Sequence, residues 1–326
     1  MSRTDAPPPR LSLLLGSVLL AATASVACFY SLFLLPVAAV PLGFVGFRHG
    51  PTASASAAAL AFVLAGVLGQ YAGAFLFLAL IALPMQCLLL TSLRPPLFVR
   101  LLHHLLPTQI ILAALGLAAL MLSAFYIGWS GSEGGLPQIV SDYFAAQLSR
   151  PDMQQMLSAF LPEALLQNEQ FLRQSARLWL VVCPTFLFWL WLVQLGWARE
   201  LAQLSGRAIL KRPDYLFWRL PDAMEIVLAL FLALGVLAPS PFAIYAISCA
   251  TLIAGGYAML GASLLHLLVG RSTMRRILVI GAYGLCLIYL WPIVLVAFMG
   301  LMARPMQLHK RFAYWVEAQD RKGKGN

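Results

Sequence analysis

Charged residues are scarce in this sequence, and their scarcity excludes an ordinary soluble domain. Only 10% of the 326 residues are Asp, Glu, Lys or Arg, and 61% are hydrophobic, whereas soluble domains carry about a quarter charged residues. Apolar runs of about 20 residues, the length that crosses a bilayer, recur along the whole chain. Because these runs are continuously apolar and do not alternate with period two, they predict helices. The sequence therefore predicts an all-α, polytopic transmembrane helical bundle.

Sequence motifs for catalysis and metal binding are also absent. The chain has no HExxH motif, no P-loop, no CxxC pair and no paired aspartates within an apolar run. Its five cysteines all fall inside apolar segments, which predicts buried thiols and neither disulfides nor metal ligands. The stretch GWSG at 128–131 is similar to the serine motif of rhomboid proteases, but Ser130 enters a flexible glycine-rich segment and no helix start. We therefore expect no enzymatic activity and no cofactor.

Nine apolar runs are candidate membrane segments. The run at 223–237 is short, so we expect eight full crossings and one partial crossing, that is, 8–9 membrane segments. The candidate spans are 11–29, 31–47, 52–70, 71–93, 105–129, 178–197, 223–237, 242–269 and 277–302.

The distribution of charge predicts the orientation of these segments. The net charge is +10, and the Lys and Arg residues concentrate in short loops and in the C-terminal tail, which the positive-inside rule places in the cytoplasm. The long connection at 130–174 has five acidic residues against two arginines, so we place it outside. No polar face is lined with basic residues, and we therefore expect no nucleic-acid partner.

The expected order is a cytoplasmic N-terminal tail at 1–10, the bundle at 11–302 with its extracytoplasmic insertion at 130–174, and a basic tail at 303–326.

Two stretches have the character of interfacial segments. Within the insertion, apolar residues recur at helical spacing over 139–148 and 153–161, which predicts two short amphipathic helices on the outer surface or capping the bundle. The loop KRPDYLFWRLP at 211–221 combines basic and aromatic residues. That composition is typical of a segment that contacts anionic headgroups, and the alternative is a docking site for a cytoplasmic partner.

Small residues recur at every fourth position in two of the candidate spans. At this spacing they let helix backbones approach closely in lipid, so we expect both spans to lie in the bundle interior. The stripes are Ala53, Ala57, Ala61, Ala65 and Gly69 in the third span and Ala250, Ala254, Ala258 and Ala262 in the eighth, which His266 continues.

The second candidate span is interrupted by two prolines. Pro36 and Pro41 predict a short, kinked helix that returns to a basic turn at Arg48 and His49. Irregular backbone is tolerated in a membrane only where protein covers it or where it lines a cavity. Pro36 and Pro41 are therefore candidate elements of a ligand site.

Three polar side chains inside the apolar runs are further ligand candidates, because polar groups are unfavourable in lipid and often functional. Gln86 and Gln194 either bind a ligand or hydrogen-bond between helices. His266 lies near the end of its span, where it either contacts a ligand or is satisfied by the bundle and the interface.

Four stretches of the sequence carry a family resemblance: LLPVAAVPLGFVGFRHG, FWRLPDAMEIVLAL, GGYAMLGASLLHLLVGR and WPIVLVAFMGLMARPMQLHKRF. They are similar to the YybS-like bacterial membrane proteins, the family of domain of unknown function 2232. The N-terminal half of that family resembles the substrate-binding subunits of energy-coupling-factor transporters, which have six helices and a short, kinked second one. The resemblance implies a small-molecule-binding transport component with an energy-supplying partner. It implies no particular ligand residues, since none are established for the family.

Two functions follow as alternatives. The first is a transport component that holds a small apolar or amphipathic ligand in a cavity open to the outside, beside residues 34–47. The second is a non-transport scaffold or assembly factor that binds a cytoplasmic or membrane protein partner. A cavity beside the second span favours the first function, and a bundle filled by side chains favours the second.

Overall fold

All regular elements of the described chain are helical. The computed structural model describes residues 11–31, 33–93, 106–129, 131, 135–148, 150–151, 155, 158, 168–206, 220–240, 242–269, 277, 281, 283–284, 291–303 and 305–308, and no strand occurs among them. This confirms the all-α fold class. The helices are α1 (Leu11–Tyr30), α2 (Val40–His49), α3 (Pro51–Phe77), α4 (Leu83–Leu93), α5 (Leu106–Gly128), α6 (Gly135–Leu148), α7 (Glu169–Leu204), α8 (Ala223–Leu237), α9 (Phe242–Val269) and α10 (Trp291–Met302).

Among the described residues, five stretches of helix are long and apolar enough to cross a membrane. This finding confirms a helical, membrane-embedded protein. α8 and α10 are shorter apolar helices. The loops on which the predicted orientation depends, at 94–104, 207–219, 270–276 and 309–326, lie outside the described residues. The long stretches are Ser12–Tyr30, Pro51–Leu93, Thr108–Gly128, Arg173–Leu204 and Phe242–His266.

α7 is longer than the span predicted at 178–197. It begins at Glu169 and continues to Leu204 with Pro184 inside, so its first turns take up the end of the predicted 130–174 insertion. α6 confirms the first of the two short helices predicted in that insertion. Most of the second, at 153–161, lies outside the described residues.

The apolar stretch from α3 to α4 reverses direction at Gly69 and Gln70. Both residues have non-helical backbone angles, and Gln70 has a φ of 57°. The ring centroids of Phe62 and Phe75 lie 6.2 Å apart, whereas a continuous helix would separate these positions by about 20 Å. α3 is therefore a helical hairpin, which confirms the break predicted after Gln70.

Tyr30 holds the tip of this hairpin. Its hydroxyl donates to the carbonyl oxygen of Ala65, near the end of the first arm, at 2.8 Å. Gly69 and Gly73 lie against the same hydroxyl, and a Cβ at either position would collide with it. The end of α1 is thereby fixed beside the turn of α3.

The second candidate span, at 31–47, is not one helix of membrane length. A 3₁₀ turn at Leu35–Val37 contains Pro36, and α2 then begins with Pro41 in its first turn, where the missing N–H is not needed. The ten residues of α2 rise about 15 Å, half the thickness of the hydrocarbon core. One continuous helix does not cover 31–47, and the prediction of a short, proline-broken helix is confirmed.

The chain divides into two compact units. The first comprises residues 1–114 and 189–213, and the second comprises residues 115–188 and 214–326. In the first unit, α2 packs against α1, α3 and α4. The small-residue stripe of α3 lies in this core, since Ala57, Ala61 and Ala65 are fully buried, and the predicted close contact is confirmed.

In the second unit, α9 packs against α8 and α10. Ala250 and Ala258 of its stripe are buried, but Ala254 and Ala262 are only half-buried. The closest backbone approach uses the neighbouring row of the helix. A Cβ at Gly261 would collide with the backbone of Val296, and a Cβ at Gly300 would collide with the carbonyl of Tyr257. The prediction placed α9 correctly in an interior, but the face in closest contact is one residue away from the predicted one.

The cysteines are less buried than the sequence predicted. Of the four that the structure describes, Cys249 is buried, Cys28 and Cys183 are half-buried, and Cys87 is exposed. All four carry free thiols. An apolar run allows a thiol to face either the bundle or the lipid, so its presence in such a run does not determine its burial.

The contact at Gly261 predicts that Gly261→Ala lowers the stability of the protein by about 1–3 kcal/mol, because the added methyl group forces two helix backbones apart. Gly116→Ala in α5 is the matched control, since nothing lies within 4 Å of a Cβ built there and alanine favours a helix over glycine by about 1 kcal/mol. Tryptophan fluorescence during thermal unfolding in detergent measures the unfolding midpoints of both variants. Equal midpoints for Gly261→Ala and the unmodified protein would contradict the proposed contact.

Candidate functional site

The broken segment before α2 exposes backbone carbonyls that a regular helix would satisfy. Pro36 and Pro41 carry no N–H and donate no backbone hydrogen bond. The 3₁₀ turn supplies two bonds, from the N–H of Val37 to the carbonyl of Leu34 at 2.9 Å and from the N–H of Ala38 to the carbonyl of Leu35 at 3.1 Å. The carbonyls of Pro36, Ala38 and Leu42 accept hydrogen bonds from side chains of other helices. The segment is held in place by these donors.

Gln194 donates a hydrogen bond to the backbone of the broken segment itself. It projects from the C-terminal part of α7 and is fully buried. Its Nε2 donates to the carbonyl oxygen of Pro36 at 3.0 Å, with the carbonyl of Leu35 at 3.4 Å. Its Oε1 is buried and has no hydrogen-bond partner among the described residues, an unusual state for a buried amide.

Gln86 reaches α2 through a serine. Its Nε2 donates to the Oγ of Ser54 at 2.7 Å, and that hydroxyl donates to the carbonyl of Leu42 at 2.9 Å. Ser25 of α1 donates to the carbonyl of Ala38 from the opposite flank. Both serines are fully buried, so this relay is shielded from solvent and lipid.

α2 itself packs closely between its neighbours. A Cβ at Gly43 would lie 2.7 Å from the Cβ of Ala198 and 3.1 Å from the sulfur of Met85. A Cβ at Gly46 would collide with Leu89. Helix backbones in lipid come this near only where one partner is glycine or another small residue. These contacts place side chains of α4 and α7 against α2, within the region 34–47 beside which a ligand cavity was expected.

Four of the five predicted ligand candidates therefore meet at one place. Pro36 and Pro41 break the chain, and Gln194 and Gln86 hydrogen-bond to the carbonyls beside the breaks, Gln86 through Ser54. The fifth candidate, His266, belongs to the second unit, where its Nε2 lies 2.8 Å from the hydroxyl of Tyr283.

Sequence reasoning missed another side chain of the first unit that donates to a backbone carbonyl, Trp191. Pro84 has no N–H, so the carbonyl of Leu80, four residues earlier, loses its helical partner. The helix widens into a π-helical turn at Leu78–Ala82, and the indole Nε1 of Trp191 donates to the carbonyl of Leu80 at 2.8 Å. A proline inside an apolar run marks the carbonyl four residues before it as one that needs an outside donor, and this signal was available in the sequence.

The second unit repeats the arrangement at Pro184. The carbonyl of Leu180 lies four residues before this proline, and Ser248 of α9 approaches it with a 3.3 Å hydrogen bond. The same end of α9 contains a further hydroxyl pair, in which Tyr245 lies 2.8 Å from Ser123 of α5. These hydroxyls were not predicted, because single Ser and Tyr residues inside apolar runs carry no distinctive spacing.

A cavity of about 430 Å³ lies in the second unit, at the start of α7. The described residues that line it are Gln170, Arg173, Gln174 and Arg177. Its described lining consists of two glutamines and two arginines, whereas the cavity expected beside 34–47 was to hold an apolar or amphipathic ligand. Among the described residues, no three His, Cys, Asp or Glu side chains lie close enough together to hold a metal ion.

The geometry at Leu80 predicts a coupling between Trp191 and Pro84. Trp191→Phe removes the indole donor and should lower stability by about 1 kcal/mol or more, because the Leu80 carbonyl is left unpaired. In the Pro84→Ala background the same change should have less effect on hydrogen bonding, since alanine restores a backbone N–H at position 84. A double-mutant cycle on thermal unfolding in detergent measures the difference, and strict additivity of the two changes would contradict the explanation.

The chain was compared with known proteins by family and by structure. No protein-family model matches it, and no curated protein or solved structure matches it significantly. The resemblance to the YybS-like proteins stays a prediction, and the function is argued from the geometry described above.

Proposed function

We propose that this protein is a non-enzymatic, multi-pass membrane scaffold or assembly factor that holds a membrane or cytoplasmic protein partner. One observation carries the proposal. Gln194 donates to the carbonyl of Pro36, and Gln86 reaches the carbonyl of Leu42, next to Pro41, through Ser54, so both glutamine candidates bond within the protein beside the proline breaks. Their donors serve the protein's own backbone, which is the commonest role of polar side chains inside a membrane bundle.

The packing of α2 supports the same conclusion. Gly43 and Gly46 lie against Met85, Leu89 and Ala198, so this part of α2 is taken up by contacts within the protein. Ligand pockets typically enclose about 300–1,000 Å³. The broken helix therefore fits a rigid structural element better than the wall of a substrate site.

We further propose 8–9 membrane segments with the N-terminus in the cytoplasm of a bacterial inner membrane. The contacts of the first unit support this count, because Tyr30 reaches Ala65 while Ser25 reaches Ala38. The segment 31–49 thus runs back alongside α1, and the hairpin of α3 adds another reversal. The charge distribution supports the orientation.

Cysteine accessibility tests this topology, in a background from which the five native cysteines have been removed. Ser158→Cys places a thiol in the predicted outside insertion, and Ser205→Cys places one after the cytoplasmic end of α7. A membrane-impermeant maleimide added to intact spheroplasts should modify the Ser158→Cys variant and spare the Ser205→Cys variant. Lysis should make the Ser205→Cys variant reactive as well. If only the Ser205→Cys variant is modified in intact spheroplasts, the orientation in the membrane is opposite to the one proposed.

A second candidate function is supported by one atom. The Oε1 of Gln194 is buried without a partner among the described residues, and such an acceptor fits the hydroxyl or amine of an amphipathic ligand. This corresponds to a small-molecule-binding transport component, as the family resemblance implies. Because α2 is packed against its neighbours, a ligand would have to displace it to reach this oxygen.

Affinity purification in mild detergent separates the two functions. We expect a protein partner to co-purify in stoichiometric amount, and mass spectrometry to find no small molecule whose retention depends on Gln194. Gln194→Met keeps the volume and removes the amide, and Thr91→Val at a half-buried position of α4 is the matched control. A small molecule lost in Gln194→Met and kept in Thr91→Val would establish the transport component and overturn the scaffold.

A further inference from the structure

The start of α7 has a polar groove on one face of the helix. Gln170, Arg173, Gln174 and Arg177 line the cavity of about 430 Å³, and all four are exposed. Their spacing of three and four residues places them side by side along that face. Two guanidinium groups and two amides together carry many N–H groups and two positive charges.

An apolar, exposed row begins beside the groove and winds about 40° around the helix at each four-residue step. Leu178, Val182 and Phe186 continue the row of Gln170 and Gln174 at four-residue steps, and they are 63%, 43% and 53% exposed. An exposed apolar row on a membrane helix faces acyl chains.

Trp179 marks the level at which the polar and apolar surfaces meet. It is also exposed, and tryptophan concentrates at the boundary between hydrocarbon and headgroups. The groove at 170–177 therefore lies on the headgroup side of this boundary, and Val182 and Phe186 lie on its hydrocarbon side.

We propose that this groove binds the phosphate of an anionic membrane lipid. The guanidinium groups of Arg173 and Arg177 pair with phosphate oxygens, a contact that arginine makes in bidentate geometry. The amides of Gln170 and Gln174 donate to the remaining headgroup oxygens. The acyl chains lie along the row of Leu178, Val182 and Phe186.

Continuity with the apolar row favours a lipid over a soluble phosphate. A soluble organic phosphate uses only the polar part of the groove, whereas a lipid also covers the exposed row beneath it. A lipid anion at this site also ties α7 to one leaflet. This role is independent of the scaffold proposal, since it requires only that α7 crosses the membrane.

Native mass spectrometry of the full chain in detergent tests the proposal, with dioleoylphosphatidylglycerol and dioleoylphosphatidylcholine as probes. We expect tighter binding of the phosphatidylglycerol. Arg173→Gln combined with Arg177→Gln should weaken that binding roughly tenfold or more, because each lost charge-assisted bond is a substantial part of the affinity. The affinity of Arg173→Lys combined with Arg177→Lys should lie between those of the unmodified protein and the double Gln variant, since lysine keeps the charge and loses the bidentate geometry.

Arg150→Gln is the matched control, an exposed arginine in the same unit outside the described lining of the groove. It should leave the affinity within about twofold. Thermal unfolding in lipid-free detergent should be unchanged for all variants, because the substituted side chains are exposed. Should the double arginine variant unfold, Gln170→Ala with Gln174→Ala serves as the milder test of the same groove and should weaken binding severalfold.

Three results would overturn the proposal. If the groove variants bind phosphatidylglycerol as tightly as the unmodified protein, the lipid does not bind in the groove. If Arg150→Gln loses as much affinity as the groove variants, the binding is non-specific charge attraction. Competition by glycerol 1-phosphate at the same concentration as the lipid would show that the groove takes a soluble phosphate and that the acyl chains add nothing.

Discussion

Inside a bilayer, a backbone carbonyl that loses its helical donor must find another within the protein, because no water is present to replace it. Proline leaves such carbonyls without a donor, and in this protein side chains from other helices donate hydrogen bonds to irregular backbone. Trp191 donates to Leu80 ahead of Pro84, and in the second unit the hydroxyl of Ser248 is shared between Leu180, ahead of Pro184, and Ile244 of its own helix. At the break before α2, Gln194 donates to the carbonyl of Pro36 in the 3₁₀ turn. The irregular backbone of the molecule depends on these bonds.

The hydrogen bonds in turn depend on close packing between helices. Gln194 reaches the carbonyl of Pro36 because α2 and α7 meet at Gly43 and Ala198, where a Cβ on the glycine would stand 2.7 Å from the alanine methyl carbon. A larger residue at that contact would separate the helices and leave the carbonyl of Pro36 without its donor. Packing and hydrogen bonding at the broken helix are therefore one coupled system.

This coupling changes how the buried polar residues are interpreted. Polar groups in lipid-embedded helices are often functional, yet Ser25, Ser54 and Gln86 each have a structural partner here. The side-chain oxygen of Gln194 differs from them, as a buried acceptor without a partner among the described residues. The more accessible polar chemistry lies at the start of α7, where cationic side chains line an open groove above an apolar surface.

Much of the fold was predictable because it depends on local or periodic features of the chain. Continuous apolar runs determine membrane helices, Pro36 and Pro41 determine the break before α2, and the four-residue alanine stripe determines the buried face of α3. The sequence did not determine which donor meets which carbonyl, since Trp191 and Leu80 are distant along the chain. Nor did it determine the contact row of α9 or the position of the polar groove. These features depend on the rotation and height of each helix against its neighbours, which only the packing of the whole structure decides.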